Sequence, residues 1–257
     1  MASQELSSLD GIVARYTNWI ERNRDRMLYF FSDEFWPKIQ EQVNHLEQIL
    51  ECHPPARILD LACGTGTATI EMARRGYNMV GLDCTPATLE IAKEMAAKKN
   101  VTAGWVLRDM RTIRYEQEFD YVLLRDVVFG VFGPKCEHEL VLGNIARALR
   151  PHGRLLLEVY NRQFAIDHGV ENRYLYDGVR DIFVDREISA DGVCSEGDTI
   201  NMLPSADLDQ MLETNGLVVI ASSGTKWPKD PEPPPWRIDF LVAEKGHGRS
   251  AGSKKKG

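Results

Sequence analysis

Three aspartates are the residues whose type and spacing are best suited to ligand binding. Asp60, Asp83 and Asp109 each stand at the end of an apolar run, and the turn Gly64-Thr65-Gly66 follows the first of these runs. Carboxylates match the hydroxyl groups of a ribose and the exocyclic amine of a base, and the backbone N–H groups of a tight turn suit a carboxylate. Asp83 lies 19 residues beyond Gly64, near the position expected for an acid that binds ribose. The spacing predicts a nucleoside-type ligand.

The glycine turn alone does not identify that ligand. A dinucleotide-binding loop carries a third glycine that allows close packing of the following helix, and Thr69 occupies that position here. Thr69 weakens the interpretation as a nicotinamide-dependent dehydrogenase but leaves it as an alternative.

Apolar runs that alternate with helical patterns position the aspartates. Such alternation predicts parallel strands with right-handed crossovers, whose ligands bind at the carboxyl ends of the strands. Two amphipathic helices are predicted ahead of the sheet, and Ala190-Asp191-Gly192 predicts a hairpin turn in an antiparallel insertion. The fold class is α/β: a Rossmann-like, seven-stranded, doubly wound sheet with an N-terminal helical cap and a small antiparallel insertion. The predicted strands are 57–62, 78–83, 103–108, 119–125, 153–159, 179–188, 193–203, 217–222 and 236–243; the predicted helices are 8–24, 33–51, 66–75, 86–99, 136–149 and 205–214.

These elements divide the chain into three parts. Residues 1–55 are predicted to form the helical cap and residues 56–245 the sheet domain, with the insertion over 160–203 on the substrate side. Residues 246–257, which end in three lysines and a glycine, are predicted to be a disordered tail.

The motifs Leu59-Asp60-Leu61-Ala62-Cys63-Gly64-Thr65-Gly66, Gly81-Leu82-Asp83 and Arg108-Asp109-Met110 together resemble those of class I S-adenosylmethionine-dependent methyltransferases of the small-molecule type. The resemblance implies that S-adenosylmethionine is the cofactor and S-adenosylhomocysteine the product. It places Asp83 on the ribose hydroxyls and Asp109 on the adenine amine. The full set of cofactor-binding residues that it implies is Asp60, Ala62, Gly64, Gly66, Asp83, Cys84, Asp109, Met110 and Arg125. Ala62 replaces the family's first loop glycine.

Composition narrows the class of partner. The formal net charge is -7 with no dense Lys/Arg stripe, which makes a nucleic-acid substrate unlikely. The N-terminal residues lack a signal-peptide pattern and no long apolar run follows, so a cytoplasmic location without membrane contact is expected. Five widely spaced cysteines without a C-x-x-C pair predict reduced thiols and no metal site. The oligomeric state is not predicted.

The residues that contact the methyl acceptor are less specified than those for the cofactor. A hydroxyl acceptor needs a base, whereas an amine needs only to be neutral; the candidate bases are Asp126, His138, Glu158 and His168. Aromatic and cationic side chains in loops beyond the strand ends are candidates for acceptor binding: Phe129, Tyr160, Arg162, Trp236 and Arg237. Tyr16, Tyr29 and Phe30 of the N-terminal cap are candidates to cover them.

The sequence therefore predicts a methyltransferase that acts on nitrogen or oxygen of a small molecule by in-line displacement. The fourth strand ends in Arg125-Asp126-Val127-Val128-Phe129, which departs from the Asn/Asp-Pro-Pro-Tyr signature of methyltransferases that act on planar amide or base nitrogens. Besides the dehydrogenase, two alternatives stay open: a non-catalytic protein that binds S-adenosylmethionine for regulation, and a methyltransferase that acts on protein or RNA.

Overall fold

The computed structural model describes residues 10–126, 128–131, 135–168, 174–178, 182–188, 194–224 and 238–246. The helices are α1 (Asp10–Arg22), α2 (Arg24–Tyr29), α3 (Trp36–Leu50), α4 (Thr67–Arg74), α5 (Pro86–Lys98), α6 (Lys135–Ala148), α7 (Arg162–His168) and α8 (Ser205–Thr214). The strands are β1 (Arg57–Leu61), β2 (Asn78–Asp83), β3 (Gly104–Leu107), β4 (Phe119–Leu124), β5 (Leu149–Tyr160), β6 (Tyr174–Asp177), β7 (Ile182–Ile188), β8 (Cys194–Ile200), β9 (Leu217–Gly224) and β10 (Ile238–Lys245).

One mixed sheet organises the described chain. Its order is β3-β2-β1-β4-β5-β10-β9. The pairings from β3 to β5 are parallel, whereas β10 pairs antiparallel with both β5 and β9. The strand order reverses between β1 and β4, and a crevice at the carboxyl ends of strands forms at such a switch point. The predicted seven-stranded, doubly wound α/β class is confirmed.

Helices cover both faces of the sheet, which explains why its central strands are almost continuously apolar. Ile58 and Leu59 of β1 are fully buried on opposite faces. Leu59 belongs to a core with apolar residues of α6 and α8, and Ile58 belongs to a second core with residues of α3 and α4. β1 is therefore packed on both of its faces.

The N-terminal helices divide into two roles. Val43, Leu46 and Leu50 of α3 are fully buried in the core beneath the sheet, so α3 is a layer of the sheet domain as well as part of the predicted cap. Ile20 of α1 and Met27 of α2 pack in a third core with residues of α4 and α5. That third core places α1 and α2 above the carboxyl ends of the strands.

The insertion contains more elements than the sequence predicts. β6, β7 and β8 form a separate antiparallel sheet, with β7 in the centre. Two strands are predicted in this region, and β6 and α7 are additional. The predicted hairpin turn lies outside the described residues.

The start of β5 differs from prediction for a local reason, whereas α8 does not differ. β5 begins at Leu149 instead of residue 153, because Leu149 pairs with Phe119 ahead of a register shift. α8 has the predicted bounds; Pro204 occupies its N-cap position, and no side chain caps this helix. No helix within the described ranges is long and apolar enough to cross a membrane.

Candidate functional site

A cavity of about 590 Å³ lies at the carboxyl ends of β1, β2, β3 and β4 and beneath α1, α2 and α3. Ligand sites for small molecules typically have volumes of about 300–1,000 Å³. The described lining residues from the sheet domain are Ala62, Cys63, Gly64, Thr65, Thr67, Leu82, Asp83, Cys84, Thr85, Arg108, Asp109, Met110, Arg125, Asp126 and Val128; those from the N-terminal helices are Val13, Tyr16, Trp19, Arg26, Met27, Phe30, Phe35, Ile39 and Gln42.

The turn after β1 forms the floor of this cavity. Ala62, Gly64 and Gly66 all have positive φ angles, of 54°, 54° and 77°, which is the conformation that glycine adopts without strain. A methyl group on Gly66 would also meet the Trp105 ring at 2.6 Å. Gly66 does not line the cavity; it precedes α4 and its carbonyl accepts a hydrogen bond from Ile70 N. Its role in the structure is to allow the turn, while Gly64 faces open space.

Asp83 is fixed at the end of β2 by two backbone donors. Gly64 N donates to Asp83 Oδ2 at 2.9 Å, and Thr85 N donates to Asp83 Oδ1 at 2.8 Å. The carboxylate is 6% exposed and lines the cavity. Each carboxylate oxygen keeps a further acceptor site, so the pair of oxygens can receive two hydroxyl donors.

Asp60 lies beneath the cavity and does not line it. Thr69 Oγ1 donates to Asp60 Oδ2 at 2.5 Å. Burial raises the pKa of Asp60 to about 6; Asp126 and Asp83 also raise it, while Thr69 and Arg125 lower it. Thr69 occupies the position of the third dinucleotide glycine, and its contact with Asp60 is a function that a glycine lacks.

Asp109 is held by an arginine that the sequence did not indicate. Arg111 Nε and Nη2 donate to Asp109 Oδ2 at 2.9 and 2.7 Å, and Arg111 Nη1 donates to Glu137 Oε2 at 2.9 Å. Burial alone would lower the pKa of Arg111, but Asp109 and Glu137 raise it above its usual value, so the guanidinium stays charged. Asn144 Nδ2 donates to the carbonyls of Met110 and Arg111 at 3.2 and 2.8 Å. The network orients the predicted adenine-binding pair.

A second buried ion pair fixes the end of β4. Arg125 Nε donates to Glu158 Oε1 at 3.1 Å, and Asp126 N donates to Glu158 Oε2 at 2.8 Å. Burial would lower the pKa of Arg125, but Glu158, Asp126 and Asp60 raise it, so Arg125 stays charged. Arg125 and Asp126 line the cavity, whereas Glu158 is buried behind them. Glu158 positions its two partners.

The structure separates the four candidate bases. Asp126 lines the cavity. His138 is fully buried with its ring 4.9 Å from that of Phe129, and Glu158 is used by Arg125. The side chain of His168 lies outside the described residues. Among the described candidates, Asp126 alone reaches the cavity.

The candidate acceptor-binding residues are also divided. Tyr16 and Phe30 line the cavity, and the ring of Tyr29 instead packs 5.6 Å from that of Phe35. Burial raises the pKa of Tyr16, as do Asp83, Asp126 and Cys84, so its hydroxyl group remains protonated. Two other candidates, Trp236 and Arg237, lie outside the described ranges.

Three further acceptor candidates do not line this cavity. Phe129 and Tyr160 border a separate void of about 20 Å³. Arg162 donates to the carbonyl of Met202 at 3.2 Å and to the hydroxyl of Tyr176 at 3.1 Å. Arg162 is the first residue of α7, and its guanidinium contacts the insertion sheet at Tyr176 of β6 and Phe183 of β7.

Sequence reasoning missed the residues that α1, α2 and α3 add to the cavity. Trp19, Met27, Phe35 and Ile39 line it. Trp19 lies three residues beyond Tyr16, and helical spacing of this kind places both on one face. That spacing was the available signal, and it does not distinguish a ring that faces a cavity from one that faces a core. The described residues contain no cluster of three or more His, Cys, Asp or Glu side chains arranged to hold a metal ion.

Comparison with known proteins agrees with this geometry. Residues 58–153 match the family model described as a methyltransferase domain. Glycine N-methyltransferase of Rattus norvegicus is 28% identical over 134 residues, which are 47% of this chain and 46% of the relative. Ubiquinone biosynthesis O-methyltransferase of Bartonella tribocorum is 31% identical over 107 residues, which are 41% of this chain and 42% of the relative. The chain thus matches less than half the length of these relatives.

A solved structure extends the likeness of the fold. The Burkholderia thailandensis 1,6-didemethyltoxoflavin-N1-methyltransferase, which contains 1,6-didemethyltoxoflavin and S-adenosylhomocysteine, is 15% identical with a TM-score of 0.61. The alignment covers 96% of this chain and 94% of that protein. Together with the family match and the sheet order, this confirms the family resemblance seen in the sequence. Residues 58–153 therefore match a methyltransferase domain, and the sheet that contains them has the fold of solved S-adenosylmethionine-dependent methyltransferases.

Proposed function

We propose that this protein transfers a methyl group from S-adenosylmethionine to a nitrogen or oxygen atom of a small-molecule acceptor. The observation that carries the proposal is the carboxylate of Asp83, which is fixed by two backbone N–H groups at the wall of a cavity of about 590 Å³. A fixed carboxylate with remaining acceptor sites matches a ribose diol. Asp109 lies on the same cavity wall.

The donor set fits the cofactor along its length. Asp83 would hold the ribose, and Asp109 with Met110 would hold the adenine. Gly64 faces open space, so a ligand can approach the backbone of the turn closely. Thr65 and Thr67 line the cavity at the start of α4, where a helix N-terminus suits a carboxylate. The corresponding role of Arg125, near the methionine part of the ligand, remains a prediction.

The remaining cofactor assignments rest on position alone. Ala62 and Cys84 line the cavity next to the turn and to Asp83. Asp60 and Gly66 lie behind the lining, so we assign them to support: Asp60 through its charge and Gly66 through its backbone conformation.

The protein's contribution to the reaction is alignment and exclusion of water. When bound, S-adenosylmethionine supplies a methyl group on a sulfonium, and the electron pair of the broken carbon–sulfur bond stays on sulfur. An in-line displacement of this kind needs a positioned acceptor more than a covalent protein intermediate. The acceptor loses one proton as its new bond to carbon forms. We assign this proton to Asp126, because it lines the cavity and is not among the residues assigned to the cofactor.

The cavity supports a small acceptor. Its roof consists of α1 and α2, which are fixed to the domain through Ile20 and Met27. A cavity of about 590 Å³ beneath such a roof favours a small molecule over a macromolecule. The formal net charge of -7 also opposes binding to a phosphate backbone. The relatives named above are a glycine N-methyltransferase, a ubiquinone biosynthesis O-methyltransferase and a 1,6-didemethyltoxoflavin-N1-methyltransferase, and their acceptors are small molecules by name.

Isothermal titration calorimetry tests the cofactor assignment. We expect S-adenosylhomocysteine to bind with one site per chain and NAD to give no heat. Binding of NAD in place of S-adenosylhomocysteine would support the dehydrogenase alternative and overturn the proposal. Binding of S-adenosylhomocysteine without turnover of any small-molecule acceptor would favour the regulatory alternative.

A further inference from the structure

The cavity has two chemically different walls. The sheet domain contributes carboxylates, threonines and backbone groups, which the proposed function assigns to the cofactor. Among the described residues of α1, α2, α3 and the segments between them, every lining side chain except Arg26 and Gln42 is apolar or aromatic. These apolar side chains cannot pair with the polar groups of the cofactor. We therefore assign this second wall to the acceptor.

The apolar wall presents two pairs of aromatic rings. The rings of Tyr16 and Trp19 stack 5.9 Å apart with an angle of 6° between their planes. Tyr16 remains 44% exposed and Trp19 37% exposed, so a considerable area of these two rings is still open to contact. Phe30 and Phe35, which lie 5.0 Å apart at 68°, contribute a second aromatic pair to the same wall. Aromatic rings bind other rings by stacking and edge contacts beyond the burial of area alone.

Arg26 places a positive charge on this wall. Its side chain is exposed, and no ion pair or side-chain hydrogen bond engages its guanidinium within the described parts of the chain. The two nearby arginines have protein partners: Arg24 pairs with Glu94, and Arg22 Nε donates to the carbonyl of Asn18. A guanidinium that stands at a cavity wall and has no partner among the described residues suits a carboxylate or another planar anionic group.

We infer that the methyl acceptor is a flat aromatic molecule that carries a carboxylate or similar anionic group. Its ring would lie against Tyr16 and Trp19, and its anionic group would bind Arg26. The inference rests on the proposed function, because it assigns the opposite wall to the cofactor. An aliphatic amino acid would leave the aromatic wall unused, and a neutral aromatic molecule would leave Arg26 unused.

Binding of matched aromatic acids and amides tests the inference. The probes are 2-, 3- and 4-aminobenzoate, the three corresponding aminobenzamides, and glycine, each titrated calorimetrically into protein saturated with S-adenosylhomocysteine. We expect at least one aminobenzoate to bind about tenfold more tightly than its amide, which corresponds to one charge-assisted hydrogen-bonded contact. Glycine is expected to bind at least about tenfold more weakly than that aminobenzoate.

Three variants separate the contributions. Arg26→Gln should reduce the preference for acid over amide to about one. Arg22→Gln, the matched control on the preceding helix outside the cavity lining, should keep the preference. Trp19→Ala should weaken the binding of the acid and of the amide by the same factor, because both probes carry the benzene ring that is proposed to contact Trp19.

The outcomes distinguish this inference from the proposed function. Protein that binds S-adenosylhomocysteine but shows no preference for any acid over its amide overturns the acceptor class and leaves the proposed function intact. A preference that survives in Arg26→Gln also overturns it. Protein that does not bind S-adenosylhomocysteine overturns the proposed function, and the acceptor class with it.

Discussion

Replacement of Asp60 by asparagine should stabilise this protein, and more so at high pH. Asp60 is 4% exposed beneath the cavity. The pKa of Asp60 is raised from 3.8 to about 6. Burial is the largest cause, and the neighbouring carboxylates of Asp126 and Asp83 raise the pKa further. Asparagine keeps an oxygen that can accept the hydrogen bond of Thr69 and removes the buried negative charge.

The magnitude follows from the pKa of Asp60. A carboxyl with a raised pKa in the folded state stabilises the fold below its unfolded value of 3.8, and that contribution is lost as the pH rises through about 6. A shift of about two units makes the ionised carboxylate cost about 3 kcal/mol at about pH 8. At about pH 5 the folded carboxyl is mostly protonated and the cost is about 1.6 kcal/mol. The free energy of unfolding of Asp60→Asn minus that of the wild type should therefore rise by about 1.4 kcal/mol from about pH 5 to about pH 8.

Urea unfolding of both proteins at the two pH values, followed by circular dichroism, measures this difference. Other titrating groups are shared by the two proteins, so their contributions cancel in the comparison. Thr69→Val provides a matched variant: it removes the hydrogen bond that lowers the pKa of Asp60, so the pH dependence should move to higher pH. A difference between Asp60→Asn and the wild type that is the same at both pH values, or that falls as the pH rises, would refute the reasoning.

The other predictions concern cofactor affinity and the packing of the site. Asp83→Ala should weaken calorimetric binding of S-adenosylhomocysteine by at least about tenfold, because hydrogen bonds to a charged group contribute about 1.5–3 kcal/mol; unchanged affinity would refute the ribose assignment. Arg111→Met should lower the free energy of unfolding, measured in urea, by about 3–5 kcal/mol, because it leaves a buried carboxylate without its cation; a loss below about 1 kcal/mol would contradict the network. Gly66→Ala should lower the melting temperature more than Gly64→Ala, because both positions have positive φ but the added methyl meets the Trp105 ring at 2.6 Å only at Gly66; equal losses would argue against this packing.

The cofactor side of the site was predictable because its determinants are local in sequence. An apolar run that ends in an acid and a glycine turn fixes a strand, a turn and the start of a helix within about ten residues. Parallel pairing then places successive strand ends side by side. Leu61 pairs with Leu82, and this register brings Gly64 N within 2.9 Å of Asp83. Alternation of strands and helices is enough to predict such a neighbourhood.

The supporting partners were not predictable, because each comes from a distant element. Glu137 reaches Arg111 from the first turn of α6, 26 residues further along the chain, and Glu158 reaches Arg125 from β5, 33 residues further along. In a sequence, a glutamate in an amphipathic helix or near a strand end has the pattern of an ordinary solvated residue. Its burial depends on how two layers pack, and the hydrophobic periodicity of a single element does not predict that packing.

The residues of α1 at the cavity were also not predictable as acceptor-binding residues from helical spacing alone. Helical spacing predicts that Tyr16 and Ile20 share one face of α1, and the structure places Ile20 in a closed core and Tyr16 at a cavity. The two outcomes differ because Ile20 shares a core with Ile91 and Met95 of α5. Tyr16 instead lines the cavity together with Thr85, the residue just before α5. The hydrophobic pattern reports which face is turned inward, not whether that face meets protein or ligand. Donor chemistry can therefore be inferred from strand-end motifs, whereas the acceptor must be inferred from the packed positions of Trp19 and Arg26.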